Sequence, residues 1–172
     1  MKDRRFIAVH RGGPLERADH VLLARWAADC AERVLPLFAR HCSDVRPQQA
    51  LDTVRAWADG KVKTGVAMKA SLAAHAAARE ARDKAAIAAA RAAGQAAATA
   101  HAADHSMGAL LYAMKALEAS GAPSDPELKS QLAKLPTHLR AQVSSGVKAR
   151  LKRWGVRPGA GKRGRKSGYQ VA

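Results

Sequence analysis

Between residues 67 and 103, 21 of 37 residues are alanine. No other feature of the chain restricts its fold as strongly. Alanine is the best helix former and has no bulk beyond Cβ, so such a segment predicts helices whose axes approach to the short end of the usual range, roughly 8 Å. Arg79, Glu80, Arg82, Asp83, Lys84 and Arg91 punctuate the run as the solvent-facing positions of a helical hairpin would. The reading is a third helix over about Thr64 to Arg82 and a fourth over about Asp83 to Ala103, with Asp83 as its N-cap. This hairpin is expected at the centre of the fold.

The flanking sequence continues the helical pattern. After Arg11-Gly12-Gly13-Pro14, Leu22, Leu23, Trp26, Cys30, Val34, Leu37 and Phe38 recur at helical spacing, and Pro36 should bend or split that first helix. Ser43, Asp44 and Pro47 open a second helix, closed by Asp59-Gly60. A fifth helix spans about His105 to Ala119 and ends at Ser120-Gly121-Ala122-Pro123. Asp125-Pro126-Glu127 opens a sixth, and helical potential resumes after Pro136 toward Trp154. The expected fold class is all-α, a bundle of about six helices: an N-terminal arm over 1–14, an alanine-rich domain over 15–146, and a basic tail over 147–172 that is mostly disordered after 154.

Charge is concentrated at the C-terminal end. The formal net charge is +16, and residues 147–172 hold nine Lys and Arg with no Asp or Glu. Lys152, Arg153, Lys162, Arg163, Arg165 and Lys166, with Trp154 before and Tyr169 after the last cluster, have the make-up of an arm that binds nucleic acid independently of sequence. A basic tail serving only solubility or anchoring is the blander reading. The apolar stretch Phe6 to Val9 is too short for a signal-peptide core, and the alanine run is too interrupted to span a bilayer, so a soluble cytoplasmic protein without a membrane partner is expected. Cys30 and Cys42 have neither disulfide density nor zinc spacing and read as reduced thiols.

No catalytic constellation is present, and no cofactor is implied. His101 and His105 stand four residues apart, a spacing that on one helical face suits a divalent metal, but a lone HxxxH is common, no HExxH occurs, and interfacial, hydrogen-bonded histidines of a helical bundle are the favoured reading. His75 and Arg79 form a second such pair, suited to a polar pocket formed with His101 of the neighbouring helix for an anion or a partner carboxylate, or to a buried network that sets hairpin register. Gly159, Gly161 and Gly164 imitate a phosphate loop but follow no predicted strand and open no helix.

Several stretches in order resemble the immunity-five-like helical domain family of bacterial polymorphic toxin systems. They are Cys30 through Phe38, Arg46-Pro47 with Ala50 and Ala56-Trp57, Ala73 through Arg79, Ala89 through Ala98, Ala100-His101, His105, Tyr112 through Ala116, and Leu135 through Arg140. Together they cover roughly residues 20 to 142. The resemblance implies a non-enzymatic helical domain that binds and neutralises a cognate toxin. Some members are labelled SbcC-like exonuclease, although no acidic metal cluster of a nuclease is visible in this sequence. The positive body also differs from the acidic face that an inhibitor of a basic nuclease would gain from. On this reading a polar patch of His75, Arg79, His101, His105 and Lys115 engages the partner. Nucleic-acid association through the tail is the alternative, and a metal-dependent hydrolase built on His101 and His105 is a third.

Overall fold

Proline and glycine divide the chain largely where the sequence places them. In the computed structural model, which describes residues 3–153, the helices are α1 (Arg17–Glu32), α2 (Leu35–Ala39), α3 (Arg46–Ala58), α4 (Thr64–Glu80), α5 (Lys84–Ala98), α6 (His105–Ala119), α7 (Asp125–Ala133) and α8 (Thr137–Arg153). Eight α-helices therefore stand where about six were expected, and no strand occurs among the described residues. Pro36 accounts for one difference: it lies in the first turn of α2, and its ring is incompatible with continuing α1 past Glu32. The other is α8, which extends through Arg153 because Val143, Val147 and Leu151 turn a buried stripe inward.

The centre of the molecule is α5. Eleven of its fifteen residues are buried, ten of them alanine and the eleventh Gly94. Helices α1, α2, α3, α4 and α6 all pack against it. A single rod of alanine presents little side-chain relief in any direction, and that smoothness lets five neighbours approach its backbone. The expected hairpin of α4 and α5 forms, with Asp83 accepting a hydrogen bond from the Ala86 amide at 2.9 Å as the N-cap of α5. Within that hairpin α5 is the buried member, whereas α4 keeps an outer face carrying Leu72 and Arg79.

Two kinds of core meet across α1 and α6. Toward α5, α1 contributes Ala24, Ala27, Ala28 and Ala31, and α6 contributes Ala109, Ala113 and Ala116. Their other faces supply Leu23, Trp26 and Cys30, and Met107, Leu110, Leu111 and Met114, to a bulkier core completed by Leu135, Leu139, Val143 and Val147. The Trp26 indole is anchored there by donating to the Gln131 carbonyl at 2.8 Å. Residues 3–14, read from sequence as an arm, lie folded on the body, with Phe6 and Ala8 buried. Trp57 fills the end of the alanine core and donates to Thr64 Oγ1 at 3.0 Å, with the Arg17 guanidinium 4.2 Å from its ring centre.

Candidate cationic face on α4, α5 and α6

Three antiparallel helices bring one polar face together. On α4, Met68, Leu72, His75 and Arg79 follow one another at three- and four-residue spacing, so they share a side of the helix. On α5 the half-buried residues are Ile87, Arg91 and Gln95, again one stripe. On α6 the matching positions are His105, Tyr112 and Lys115. The Lys115 ammonium lies 5.3 Å from the centre of the Tyr112 ring, a cation–π contact along the helix.

Two glycines let the side chains of this face lie flat. A Cβ built on Gly94 of α5 would come within 2.7 Å of His75 Cε1, so the imidazole rests against the α5 backbone. A Cβ on Gly108 of α6 would come within 2.5 Å of Gln95 Oε1. That amide oxygen in turn pairs with His105 Nδ1 at 2.8 Å, which makes Nδ1 the proton donor. Burial pushes the His75 imidazole below its ordinary pKa, and the nearby charges of Arg91, Arg79 and His105 push in the same direction. His75 is consequently a neutral ring at neutral pH, with the charges of Arg91 and Arg79 nearby.

The patch read from sequence is thus partly assembled. His75, Arg79 and His105 come together, and Lys115 lies farther along the same stripe of α6. His101 lies elsewhere. Helix α5 stops at Ala98, so His101 sits in the turn before α6 and does not share a helical face with His105. Residues distant in sequence cap this end: His20 Nε2–H donates to the Thr99 carbonyl at 2.6 Å, and Arg11 donates to the His101 carbonyl at 3.1 Å. Both bonds satisfy backbone acceptors at the end of α5 that a longer helix would have used itself. Buried beside Trp57, its ring centre 5.1 Å away, His20 has its pKa lowered first by desolvation.

His101 instead lines a cavity of about 210 Å³ with Phe6, Arg11, His20 and Asp104. Asp104 is already paired with Arg150 at 3.0 Å. Among the described residues no three His, Cys, Asp or Glu side chains converge to hold a metal ion, so the two-histidine metal reading gains no further ligand. Cys30 is fully buried, and desolvation raises its thiol well above the ordinary value, the opposite of an activated nucleophile.

Arg91 and Gln95 were not singled out as site residues by sequence reasoning. The signal was available: within the alanine helix they are the only polar side chains after Lys84, and they stand one turn apart. Of the basic residues assigned to a nucleic-acid surface, Lys152 and Arg153 are exposed at the end of α8. Lys162, Arg163, Arg165 and Lys166, and the disorder expected after residue 154, lie outside the described residues. Among the described residues no helix is long and apolar enough to cross a membrane.

The family model of the Imm-5 like putative immunity protein matches residues 13–138, which include α1 to α7 and the whole of the cationic face. No curated protein and no solved structure matches the chain. The matched span is well over half of the sequence, and the chain belongs to the Imm-5 like immunity protein family.

Proposed function

We propose that this protein acts without catalysis, binding a cognate bacterial toxin and neutralising it through the face formed by α4, α5 and α6. The observation that carries the reading is the convergence, inside the family-matched span, of His75, Arg79, Arg91 and His105 on a preorganised surface. His75 is seated against the α5 backbone and His105 is held by its bond to Gln95, so these two side chains have little freedom left to lose on binding. Lys115 extends the face, and His101 falls outside it. The test is calorimetric titration of the purified chain with the protein encoded by the adjacent open reading frame, inactivated at its own active site. A saturable complex that Arg79→Glu weakens supports the reading; no complex with any neighbouring product removes it.

A second reading is favoured by one observation, the nine basic and no acidic residues of 147–172. Under it the tail confers sequence-independent, salt-sensitive affinity for nucleic acid. Deleting residues 155–172 should then abolish binding to a mixed-sequence DNA duplex, and undiminished binding by the shortened chain overturns it.

A further inference from the structure

The charges of α4, α5 and α6 are paired unevenly. Between residues 64 and 119 the acidic side chains are Glu80, Asp83, Asp104 and Glu118. Each points to a partner at the edge of the face or beyond it: Glu80 pairs with Arg46, Asp83 caps α5 and faces His41, Asp104 pairs with Arg150, and Glu118 accepts from Ser124 Oγ. Arg79 and Arg91 have no carboxylate partner among the described residues, although ion pairs are numerous elsewhere on the surface. Two turns before Arg79 on the same stripe of α4, Leu72 stands 65% exposed, the most exposed large aliphatic residue described.

We infer that the partner docks a carboxylate-bearing segment on this face, an acidic loop or helix whose side chain is held by Arg79 and Arg91 beside His75 while an apolar neighbour covers Leu72. The inference rests on the proposed recognition role of the face and specifies the chemistry of what is recognised. Two guanidinium groups can fork onto one carboxylate, a stronger match than isolated ammonium charges provide. A nearby aliphatic contact fits the apolar centre and polar rim of a protein interface and has no use for a phosphate backbone. Because Arg79 and Arg91 face no carboxylate among the described residues, they lend this part of the face a local positive potential that an acidic segment relieves and that steers its approach.

The experiment uses the full-length chain labelled with ¹⁵N and titrated with a short oligoglutamate peptide, and separately with a mixed-sequence DNA duplex. Amide shifts centred on His75, Arg79 and Arg91, together with an upward move of the His75 titration midpoint, are expected with the peptide. The Arg79→Ala/Arg91→Ala variant should retain the helical circular dichroism signal and weaken the peptide affinity at this face by roughly tenfold or more. Peptide shifts confined to residues 148–172, or DNA moving the face as strongly as the peptide does, overturn the inference. Toxin neutralisation by the wild type that survives the double substitution unchanged also overturns it, while leaving the immunity role itself intact.

Discussion

The His75 imidazole on α4 lies against Gly94 of α5 so closely that a methyl group at that position would sit 2.7 Å from its Cε1. Gly94→Ala therefore has two opposed effects. Alanine in a helix interior is favoured over glycine by about 1 kcal/mol, while displacing the ring from its seat costs about as much or more. In the wild-type background the substitution should be neutral to destabilising by about 1 kcal/mol, and in a His75→Ala background it should stabilise by about 1 kcal/mol. Urea denaturation of the four proteins measures the coupling, and equal effects of Gly94→Ala in both backgrounds would contradict the packing described.

The alanine positions of α5 should resist enlargement. Ala93 is fully buried where α5 meets its neighbours, so Ala93→Leu must separate helices or force strained rotamers. A loss of about 1–3 kcal/mol is expected in denaturant unfolding. An equal substitution at Ala76, which is half-buried on α4, should have a smaller effect.

Acid sensitivity should begin in the histidine range. His20 and His75 both have folded-state pKa values below the ordinary 6.5, chiefly because burial disfavours the imidazolium. The unfolded chain then takes up protons first, so the stability these groups contribute is present above about pH 6.5 and is lost as pH falls from there through their folded values. The carboxylates of Asp3, Glu32, Asp44 and Asp59, lowered first by hydrogen bonds from basic side chains, act in a separate window. Their contribution is lost only below their ordinary range of 3.8 to 4.5. Thermal melts should show a decline between about pH 6.5 and 5, and the His20→Gln variant should show a shallower one.

The two thiols should be distinguishable. Cys30 of α1 is fully buried in the bulkier core, whereas Cys42 is half-buried after α2. Titration of the native protein with an aromatic disulfide reagent should modify Cys42 first and leave Cys30 protected until denaturant is added. Rapid reaction of both thiols would show that the α1 and α6 side of the core is open.

Much of this architecture was legible in the sequence because its signals are local. Asp83 as the cap of α5, the break at Pro36, and the closure at Asp59-Gly60 all depend on residues within a turn of the feature they specify. What was not legible depends on residues far apart in the chain. The end of α5 at Ala98 is set partly by His20 and Arg11, 79 and 90 residues away from the carbonyls they cap, and no helical pattern announces them. For the same reason the His101–His105 spacing suggested a shared face that the capped turn removes. The pairing of His75 with Gly94 required knowing the register of α4 on α5, which a run of nearly identical alanines leaves open. Once that register is known, Arg91 and Gln95 fall into place on the same face.

The most direct test of the central claim is growth rescue in cells that co-express the neighbouring toxin. Wild-type protein should restore growth, and the Arg79→Glu/Arg91→Glu variant, present at the same soluble level, should fail to do so. Equal rescue by the two proteins would contradict the assignment of the α4–α5–α6 face, and no rescue by the wild type would contradict the immunity role.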